Sequence, residues 1–342
     1  MKVLVVGGTG FLGGAIVDEA IAAGHDVTVF SRGRHRRRMP NSVKTLIGDR
    51  YGDISALEGR RFDLVADTCA FAPDTVLRLL DSLSSDIGCY ALVSSASVYD
   101  DFSLPGIDED SPTSRATDEQ LAMVQNLPFD QRSGADAYGD AYGPLKREAE
   151  IAALDRLGDR AFILRSGLLA GAGDYTDRLT YWVRRIDQGG RVAAPGDPQR
   201  LVQLIDVRDA ATFIIAGASR GLKGIFNLTG QPLSMAFLLE SCRSVTGSNA
   251  ELVWIAEETI NAAGIEAWTE VPLWLPSSDV QSKYFLEISA AKAFAHDLQV
   301  RPLDETLISI LSWDRTRRTE PLKSGLPPLK ETLLLSKAAA PS

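Results

Sequence analysis

Two residues of the segment YGPLK have types and a spacing that suit proton transfer. Tyr142 and Lys146 stand four residues apart, so a helix places both on one face. A phenol normally titrates near pH 10, and a neighbouring ammonium group lowers that pKa. We therefore expect Tyr142 to give or take a proton at a substrate oxygen, with Lys146 beside it. Pro144 fits the first turn of this helix if Asp140 is its N-cap.

A cluster of serines, SSASVY at 94–99, ends an apolar strand that the sequence predicts over 89–95. In an open α/β sheet the carboxyl ends of the strands border the ligand crevice. Ser95 is therefore the candidate for a hydrogen bond to a substrate hydroxyl or carbonyl group. Ser97 is a further substrate candidate, although strand-end serines also serve as plain turn residues.

A glycine-rich segment, GGTGFLGGAI at 7–16, directly follows the apolar run VLVV. Gly7, Gly10 and Gly13 are spaced three apart, between a predicted strand and a predicted helix. Glycines in this context permit a tight turn and bring backbone N–H groups close to a pyrophosphate. No Gly-Lys-Ser/Thr follows, which disfavours a nucleoside triphosphate loop. The segment predicts a dinucleotide site, and its alternative is a glycine turn that holds no ligand.

The end of the second predicted strand bears on which dinucleotide is bound. An Asp or Glu there would bind the adenosine ribose and favour NAD. Ser31 occupies that place, and Arg32 and Arg34 can clamp a 2′-phosphate. We therefore favour NADP(H) over NAD(H), while a solvated basic loop accounts for most of 36–38. Asp49, after the third strand, is placed to reach the adenine, and a surface turn is its alternative role.

Short apolar runs alternate with helix-like segments along the first half of the chain, which predicts a parallel sheet covered on both faces. With right-handed crossovers this is an α/β, Rossmann-type doubly wound domain. We expect 1–167 to form this domain, with 201–230 returning to it. Segments 168–200 and 231–320 then form a smaller, mixed substrate lobe, followed by a partly disordered tail at 321–342.

Composition and charge exclude several classes of protein. The chain has 342 residues and a net charge of −9, which disfavours a surface for nucleic acid or for an anionic membrane. Its three cysteines and three histidines are scattered, so we expect no metal site. The sparse cysteines suit a reducing compartment, and no apolar run is long enough to span a membrane. We expect a cytoplasmic protein whose partner is a small molecule.

Four segments in this order resemble the extended short-chain dehydrogenase/reductases, the family of nucleotide-sugar epimerases and dehydratases. They are GGTGFLG at 7–13, SSASVY at 94–99, YGPLK at 142–146 and LRSG at 164–167. The resemblance implies that Ser95, Tyr142 and Lys146 are the catalytic residues. The cofactor contacts that it implies are Gly7, Gly10, Phe11, Leu12, Gly13, Thr68, Tyr142 and Lys146. Relatives commonly dimerise, so it also implies a homodimer.

Two departures from the family pattern affect the expected reaction. Ser95 and Tyr142 are 47 residues apart (142 − 95), wider than in typical epimerases, and the extra stretch at 113–137 is predicted to form a lid over the cleft. Ser31 and Arg32 replace the acidic pattern of most epimerases. Because an epimerase must retain its NAD, this replacement favours a plain reductase.

The leading functional hypothesis is an NAD(P)-dependent oxidoreductase or epimerase acting on a sugar-like hydroxy/carbonyl compound, nucleotide sugars included. Arg178, Arg200 and Gln203, in the second half of the chain, are candidates for gripping its phosphate or sugar, with a structural role as the alternative for each. An NADPH-dependent carbonyl reductase of a non-sugar metabolite would share every motif. A non-catalytic RNA-binding or regulatory relative is the third alternative, opposed by the intact Ser–Tyr–Lys set and the acidic charge.

Overall fold

A computed structural model of the chain describes residues 1–33, 39–128, 132 and 135–338. The strands among these residues are β1 (Lys2–Val6), β2 (Asp26–Ser31), β3 (Lys44–Ile47), β4 (Leu64–Asp67), β5 (Cys89–Ser95), β6 (Ala161–Ser166), β7 (Leu169–Ala170), β8 (Arg191–Pro195), β9 (Leu201–Val202), β10 (Ile205–Asp206), β11 (Gly224–Leu228), β12 (Leu233–Ser234) and β13 (Glu251–Ile255). The α-helices are α1 (Phe11–Ala22), α2 (Pro73–Ser82), α3 (Asp118–Asn126), α4 (Tyr142–Leu157), α5 (Arg178–Asp187), α6 (Val207–Ser219), α7 (Met235–Thr246), α8 (Glu257–Ala262), α9 (Ala291–Ala295), α10 (Leu303–Arg315) and α11 (Pro328–Ala338).

Seven strands form a parallel sheet in the order β11-β6-β5-β4-β1-β2-β3. The chain winds from β1 to β3 in one direction, returns to place β4 beside β1, and then winds in the other direction. The winding direction therefore reverses between β1 and β4, where a doubly wound sheet opens its ligand crevice. This architecture confirms the predicted α/β, Rossmann-type fold.

Both faces of the sheet are buried, because neighbouring side chains of each strand point to opposite sides. In β1, Val3 and Val5 pack with residues of α1 and α6, whereas Leu4 and Val6 join a cluster that includes residues of α2 and α4. The unbroken apolar run VLVV fits this double burial, which is the pattern of a central parallel strand.

A separate hydrophobic core lies in the second half of the chain. It includes Trp182 of α5 and Leu307 of α10, together with residues of α7 and of the parallel pair β8–β13. Helix α11 closes this core: Leu334 is buried in it, and Glu331 pairs with Arg185 of α5 at 2.7 Å. Residues 328–338 therefore form a packed helix inside the segment predicted to be a partly disordered tail. The prolines of this segment predict disorder, whereas its apolar run TLLL gives the helix side chains that pack on the core.

The predicted insertion at 113–137 contains α3, which begins with a capping box between Thr117 and Gln120. Val124 of this helix is buried in a small cluster with Tyr138 and with Leu145 of α4. Residues 129–131 and 133–134 lie outside the described part of the chain. The insertion therefore packs beside the first turns of the helix that carries Tyr142, and its role as a lid stays a prediction.

Candidate active site

The glycine-rich segment forms a tight connection from β1 into α1. Gly7 has a φ of +86°, its N–H bonds to the Phe30 carbonyl at 3.1 Å, and its own carbonyl accepts from Gly10 N–H at 2.9 Å. A Cβ added at Gly13 would overlap the Gly7 carbonyl oxygen. Gly10 is the N-cap of α1, whose described first turn holds no acidic side chain. The free N–H groups of this helix end therefore border the crevice, as an anion site requires.

Thr68 lies against this glycine connection. Its hydroxyl donates to the Val6 carbonyl at 2.9 Å, and a Cβ added at Gly7 would stand 2.5 Å from its Oγ1. Phe11, the first residue of α1, faces the loop after β7, because a Cβ at Gly173 would be 3.8 Å from its ring. The turn after β4 and the loop after β7 thus flank the glycine segment from two sides.

Ser31 and Arg32 stand at the carboxyl end of β2, and both are partly exposed. Arg34 lies outside the described residues. Asp49 accepts a hydrogen bond from the Tyr51 N–H at 3.0 Å, which makes it part of its own turn. This contact accounts for Asp49 without an adenine, so the turn role left open by the sequence is the one that the contacts support.

Two of the predicted catalytic side chains, Ser95 and Tyr142, meet at the end of β5 beside the predicted substrate residue Ser97. The phenol of Tyr142 lies close enough to Ser95 for that side chain to lower its pKa, and the Ser95 hydroxyl donates to Ser97 Oγ at 3.1 Å. Burial of the phenol raises the pKa of Tyr142 to about 12, Ser95 opposes the rise, and nearby Tyr175 adds to it. At neutral pH the Tyr142 phenol is therefore protonated and suited to act as an acid.

Lys146 lies one turn further along α4 and is almost fully buried. Its ammonium donates to the carbonyls of Ala70 and Val93, both at 2.8 Å, and lies 4.8 Å from the centre of the Phe71 ring. Burial lowers the pKa of Lys146 to about 8, and Asp67 is the largest of the charges that oppose this. The sequence predicts that Lys146 lowers the pKa of Tyr142. The structure differs, because Lys146 points to backbone carbonyls and burial dominates the pKa of the phenol.

Helix α4 begins at Tyr142, one residue after its N-cap Ala141, which offers no side-chain cap. The predicted N-cap Asp140 lies instead in the short 3-10 turn Gly139–Ala141, so that prediction was wrong. Pro144 does fall in the first turn of α4, where its missing N–H leaves no intrahelical bond unmade. Gly143 brings this turn against the Ser97 carbonyl, since a Cβ there would overlap that oxygen.

The structure gives the three predicted substrate-gripping residues other contacts. Gln203 is buried, and its amide donates to the carbonyls of Gly230 and Ile288 and accepts from the Ile288 N–H, at 2.8–3.1 Å. Its polar atoms are thus engaged with backbone, which supports the structural role that the sequence left open for it. Arg178 stacks on Trp268 at 4.9 Å.

Arg200, the third of these residues, donates from Nη2 to the Lys283 carbonyl at 2.7 Å. This contact lies within the second half of the chain and joins Arg200 to the segment before α9. A role for Arg178 or Arg200 towards substrate stays a prediction.

A cavity of about 470 Å³ lies between the loop after β7 and the end of α10. Its wall includes Gly173, Tyr175, Trp313, Arg317 and Lys323. Gly173 is the glycine beside Phe11, and Tyr175 is close enough to Tyr142 to affect its pKa. The cavity therefore adjoins the loop after β7, which lies near the glycine segment through Gly173 and near Tyr142 through Tyr175.

Sequence reasoning missed a buried ion pair beneath the crevice. Arg50, after β3, and Asp67, at the end of β4, meet through two hydrogen bonds of 2.6 and 2.9 Å, and both are almost fully buried. The available signal was the carboxylate that ends the otherwise apolar strand LVAD, because a buried carboxylate requires a partner.

Among the residues that the structure describes, no group of three or more His, Cys, Asp or Glu side chains is arranged to hold a metal ion. None of the described helices has the length and apolar character needed to cross a membrane.

Residues 3–86 match the model of the NAD dependent epimerase/dehydratase family. This segment contains the glycine connection, Ser31, Arg32 and the Arg50–Asp67 pair. This segment of the chain is thus similar to that family of enzymes, in agreement with the family predicted from the glycine segment.

Solved structures of sugar-nucleotide epimerases share the fold over nearly the whole chain. The UDP-N-acetylglucosamine 4-epimerase of Methanobrevibacter ruminantium is 17% identical, with a TM-score of 0.65 over 92% of this chain and 98% of that one. The UDP-glucuronic acid 4-epimerase of Bacillus cereus, solved with NAD, is 14% identical, with a TM-score of 0.60 over 93% and 99%. These similarities establish the fold and leave the substrate open.

A curated relative carries a different kind of name. The chloroplast stem-loop binding protein of 41 kDa b from Arabidopsis thaliana is 25% identical over 265 residues, which is 72% of this chain. This chain spans 63% of the length of that relative. Proteins of similar fold thus bear the names of epimerases, whereas this relative of similar sequence bears the name of a stem-loop binding protein.

Proposed function

We propose that this chain is an NAD(P)-dependent oxidoreductase or epimerase of the extended short-chain dehydrogenase type, acting on a sugar-like hydroxy/carbonyl substrate. The observation that carries the proposal is the proximity of Ser95 to the Tyr142 phenol, with Lys146 one turn further along the same helix. The residue types and their grouping suit proton transfer to a substrate oxygen. Family relatives solved with NAD and with UDP-sugars support the choice of substrate class.

The glycine connection fits a dinucleotide. Its pyrophosphate would lie at the N-terminus of α1, against Gly7, Gly10 and Gly13, at positions where added side chains would fill the available space or alter the turn. When bound, the dinucleotide supplies hydride transfer at its nicotinamide ring. Thr68 and Phe11 would flank it.

The chain's own residues would act on the substrate oxygen. Ser95 would hold that oxygen by a hydrogen bond, and Tyr142 would donate a proton to it as a carbonyl becomes a hydroxyl, or accept the proton in the reverse direction. Lys146 would hold the cofactor ribose with its remaining ammonium proton, since two protons already engage Ala70 and Val93. The raised pKa of Tyr142, due mainly to burial, favours the direction in which it donates.

For the cofactor we propose NADP(H) rather than NAD(H). Ser31 at the end of β2 leaves no carboxylate to bind the ribose 2′-hydroxyl or repel a 2′-phosphate, and Arg32 follows it directly. For the substrate we propose that its far end enters the cavity walled by Tyr175, Trp313 and Lys323. The polar and aromatic lining suits a sugar-like compound.

A direct test combines cofactor identification with turnover. The purified protein is denatured and any released nucleotide is identified by mass spectrometry, after which NADPH and NADH are titrated by calorimetry. UDP-sugars and simple carbonyl compounds are then supplied in turn. Epimerisation without net NADPH consumption indicates an epimerase, whereas stoichiometric consumption indicates a reductase. Absence of binding by either dinucleotide would refute the proposal.

RNA binding is the second candidate, favoured by the name of the Arabidopsis relative. The net charge of −9 opposes it, because nucleic-acid binding draws on an excess of positive charge at the surface. A labelled RNA stem-loop titrated with the protein at low and high salt tests this candidate. Salt-dependent binding that excess NADPH leaves unchanged would support it as an independent activity.

A further inference from the structure

The carboxylate of Asp67 is buried at the end of β4 and has four donors. Arg50 donates to both oxygens, from Nη1 to Oδ1 at 2.6 Å and from Nη2 to Oδ2 at 2.9 Å. The Tyr90 hydroxyl donates to Oδ2 at 2.8 Å, and the Cys69 N–H to Oδ1 at 3.2 Å. A fully buried charge is tolerated only when it is paired and hydrogen-bonded in this way.

These contacts join four parts of the fold. Arg50 comes from the connection after β3, which is separated from β4 by the two strands β1 and β2, and Tyr90 belongs to β5 on the other side. Arg50 also donates to the Thr75 carbonyl in the first turn of α2 at 2.9 Å. The short turn 67–72 that leads from β4 into α2 is therefore held at both of its ends.

The turn held in this way contacts both halves of the candidate active site. On one side Thr68 packs against Gly7 of the glycine connection. On the other side the Ala70 carbonyl accepts from Lys146 Nζ, and the Phe71 ring lies beneath the same ammonium. A displacement of this turn would alter the cofactor cradle and the catalytic lysine together.

We propose that Arg50, Asp67 and Tyr90 are positioning residues for dinucleotide binding. They hold the turn after β4 in the geometry that Thr68 needs at the cofactor and that Ala70 needs at Lys146. This inference rests on the proposed dinucleotide function and adds to it three residues that do not reach the reacting atoms. Their proposed role is therefore in binding as well as in stability.

The charges around Lys146 provide an independent readout. Asp67, Cys69 and Glu150 favour its protonated form, whereas Arg50 and burial oppose it. Loss of both charges of the Arg50–Asp67 pair changes this balance and the position of the Ala70 carbonyl. If the pair served stability alone, its loss would leave the pH dependence of dinucleotide binding the same as in the wild type.

The test compares single and double variants at the ion pair. Arg50→Met and Asp67→Leu each leave a buried charge unpaired, so each is expected to unfold at lower urea concentration. The double variant Arg50→Met/Asp67→Leu replaces the pair by apolar side chains of similar size, which often restores stability. We expect it to regain stability and still to bind NADPH about tenfold to a hundredfold more weakly, because small displacements in a site have effects of that size.

Binding is measured by calorimetry from pH 6 to pH 9, where the double variant should also show a shifted pH dependence. The matched control is Arg184→Met/Asp314→Leu, a buried pair of the second core at 2.5 Å, which should leave NADPH affinity unchanged. A stable double variant at Arg50 and Asp67 that binds like the wild type would overturn the inference and spare the proposed function. A wild-type protein that binds neither dinucleotide would overturn both.

Discussion

Gly143 lies directly against the backbone carbonyl of Ser97, so close that any side chain at position 143 would overlap that oxygen. This approach brings the first turn of α4 onto the short turn that follows β5. Tyr142 and Ser95 are thereby neighbours although the insertion separates them in sequence. The absence of a side chain at position 143 thus allows Tyr142 and Ser95 to come together.

Replacement of Gly143 by Ala should disrupt this contact. Alanine favours a helix over glycine by about 1 kcal/mol, whereas overlap in a packed site costs about 1 to 3 kcal/mol. We expect a lower midpoint of thermal unfolding and a kcat reduced more strongly than NADPH affinity. Gly52→Ala is the matched control, because its Cβ would be 3.5 Å from the nearest neighbouring atom. A Gly143→Ala variant with wild-type kcat would contradict this view of the contact.

Tyr142→Phe removes the proposed proton donor and retains the ring. We expect kcat to fall about 100-fold to 10,000-fold, the usual range for a lost general acid. NADPH affinity should stay within about twofold, because the phenol acts at the substrate oxygen. Steady-state rates and calorimetry measure the two effects. Full activity in this variant would eliminate the proposed mechanism.

Lys146 should give the protein an unusual dependence of stability on pH. Its pKa falls from an ordinary 10.5 to about 8 because it is buried, so the unfolded chain binds this proton more tightly than the folded chain. The resulting destabilisation is full below pH 8 and disappears above 10.5, and this group therefore makes stability rise between those values. Urea unfolding across that range should show the rise for wild type and not for Lys146→Met. Parallel curves for the two proteins would show that Lys146 is not the cause.

Cofactor preference should change with the end of β2. Ser31→Asp supplies a carboxylate for the ribose 2′-hydroxyl, and Arg32→Ala removes a cation that can bind the 2′-phosphate. We expect the ratio of NADPH to NADH affinity to fall about tenfold or more in the double variant, a change of about 1.4 kcal/mol. Arg61→Ala, at an exposed ion pair, is the control cation. An unchanged ratio would remove Ser31 and Arg32 from the determinants of specificity.

The buried pair between Glu150 and Arg165 should dominate the stability of α4. Glu150 accepts from Arg165 at 2.9 Å and from Arg147 at 3.0 Å, and both Glu150 and Arg165 are almost fully buried. Glu150→Gln leaves the Arg165 charge without its carboxylate, and such losses cost about 3 to 5 kcal/mol. Urea unfolding measures the effect. Asp86→Asn, at the exposed pair with Arg61, should leave stability measurably unchanged, and equal effects of the two variants would refute the argument.

The sheet and helix α4 could be predicted from sequence because their signals are local. An apolar run, three glycines and a helix form one supersecondary unit at 2–24, and the Tyr142–Lys146 spacing requires only one helical turn. Ser95, the last residue of β5, is likewise placed by the rule for strand ends. These features depend on residues that are neighbours along the chain.

The contacts that sequence reasoning missed join distant residues. Arg50 reaches Asp67 across two intervening strands, so their pairing follows from the strand order, which short-range patterns do not encode. The backbone partners of the Gln203 amide, at 230 and 288, are far away in sequence. The sequence around Gln203 therefore gives no sign that its polar atoms are already hydrogen-bonded. Asp140 does not cap α4 because it lies within the 3-10 turn Gly139–Ala141, and the helix begins at Tyr142.

The segments that complete the seven-stranded sheet and its core come from both halves of the chain. Helix α6 and strand β11 return to the sheet after β7–β10, and Ala293 of α9 joins the same core later still. A fragment ending at residue 167 would therefore lack β11, leaving β6 as an unpaired edge, and would lack α6, leaving the face of α1 uncovered. Unpaired edges and bare apolar faces promote aggregation. The half that carries the glycine connection should thus fold only as part of the longer chain, and its recovery depends on segments that lie well beyond that connection.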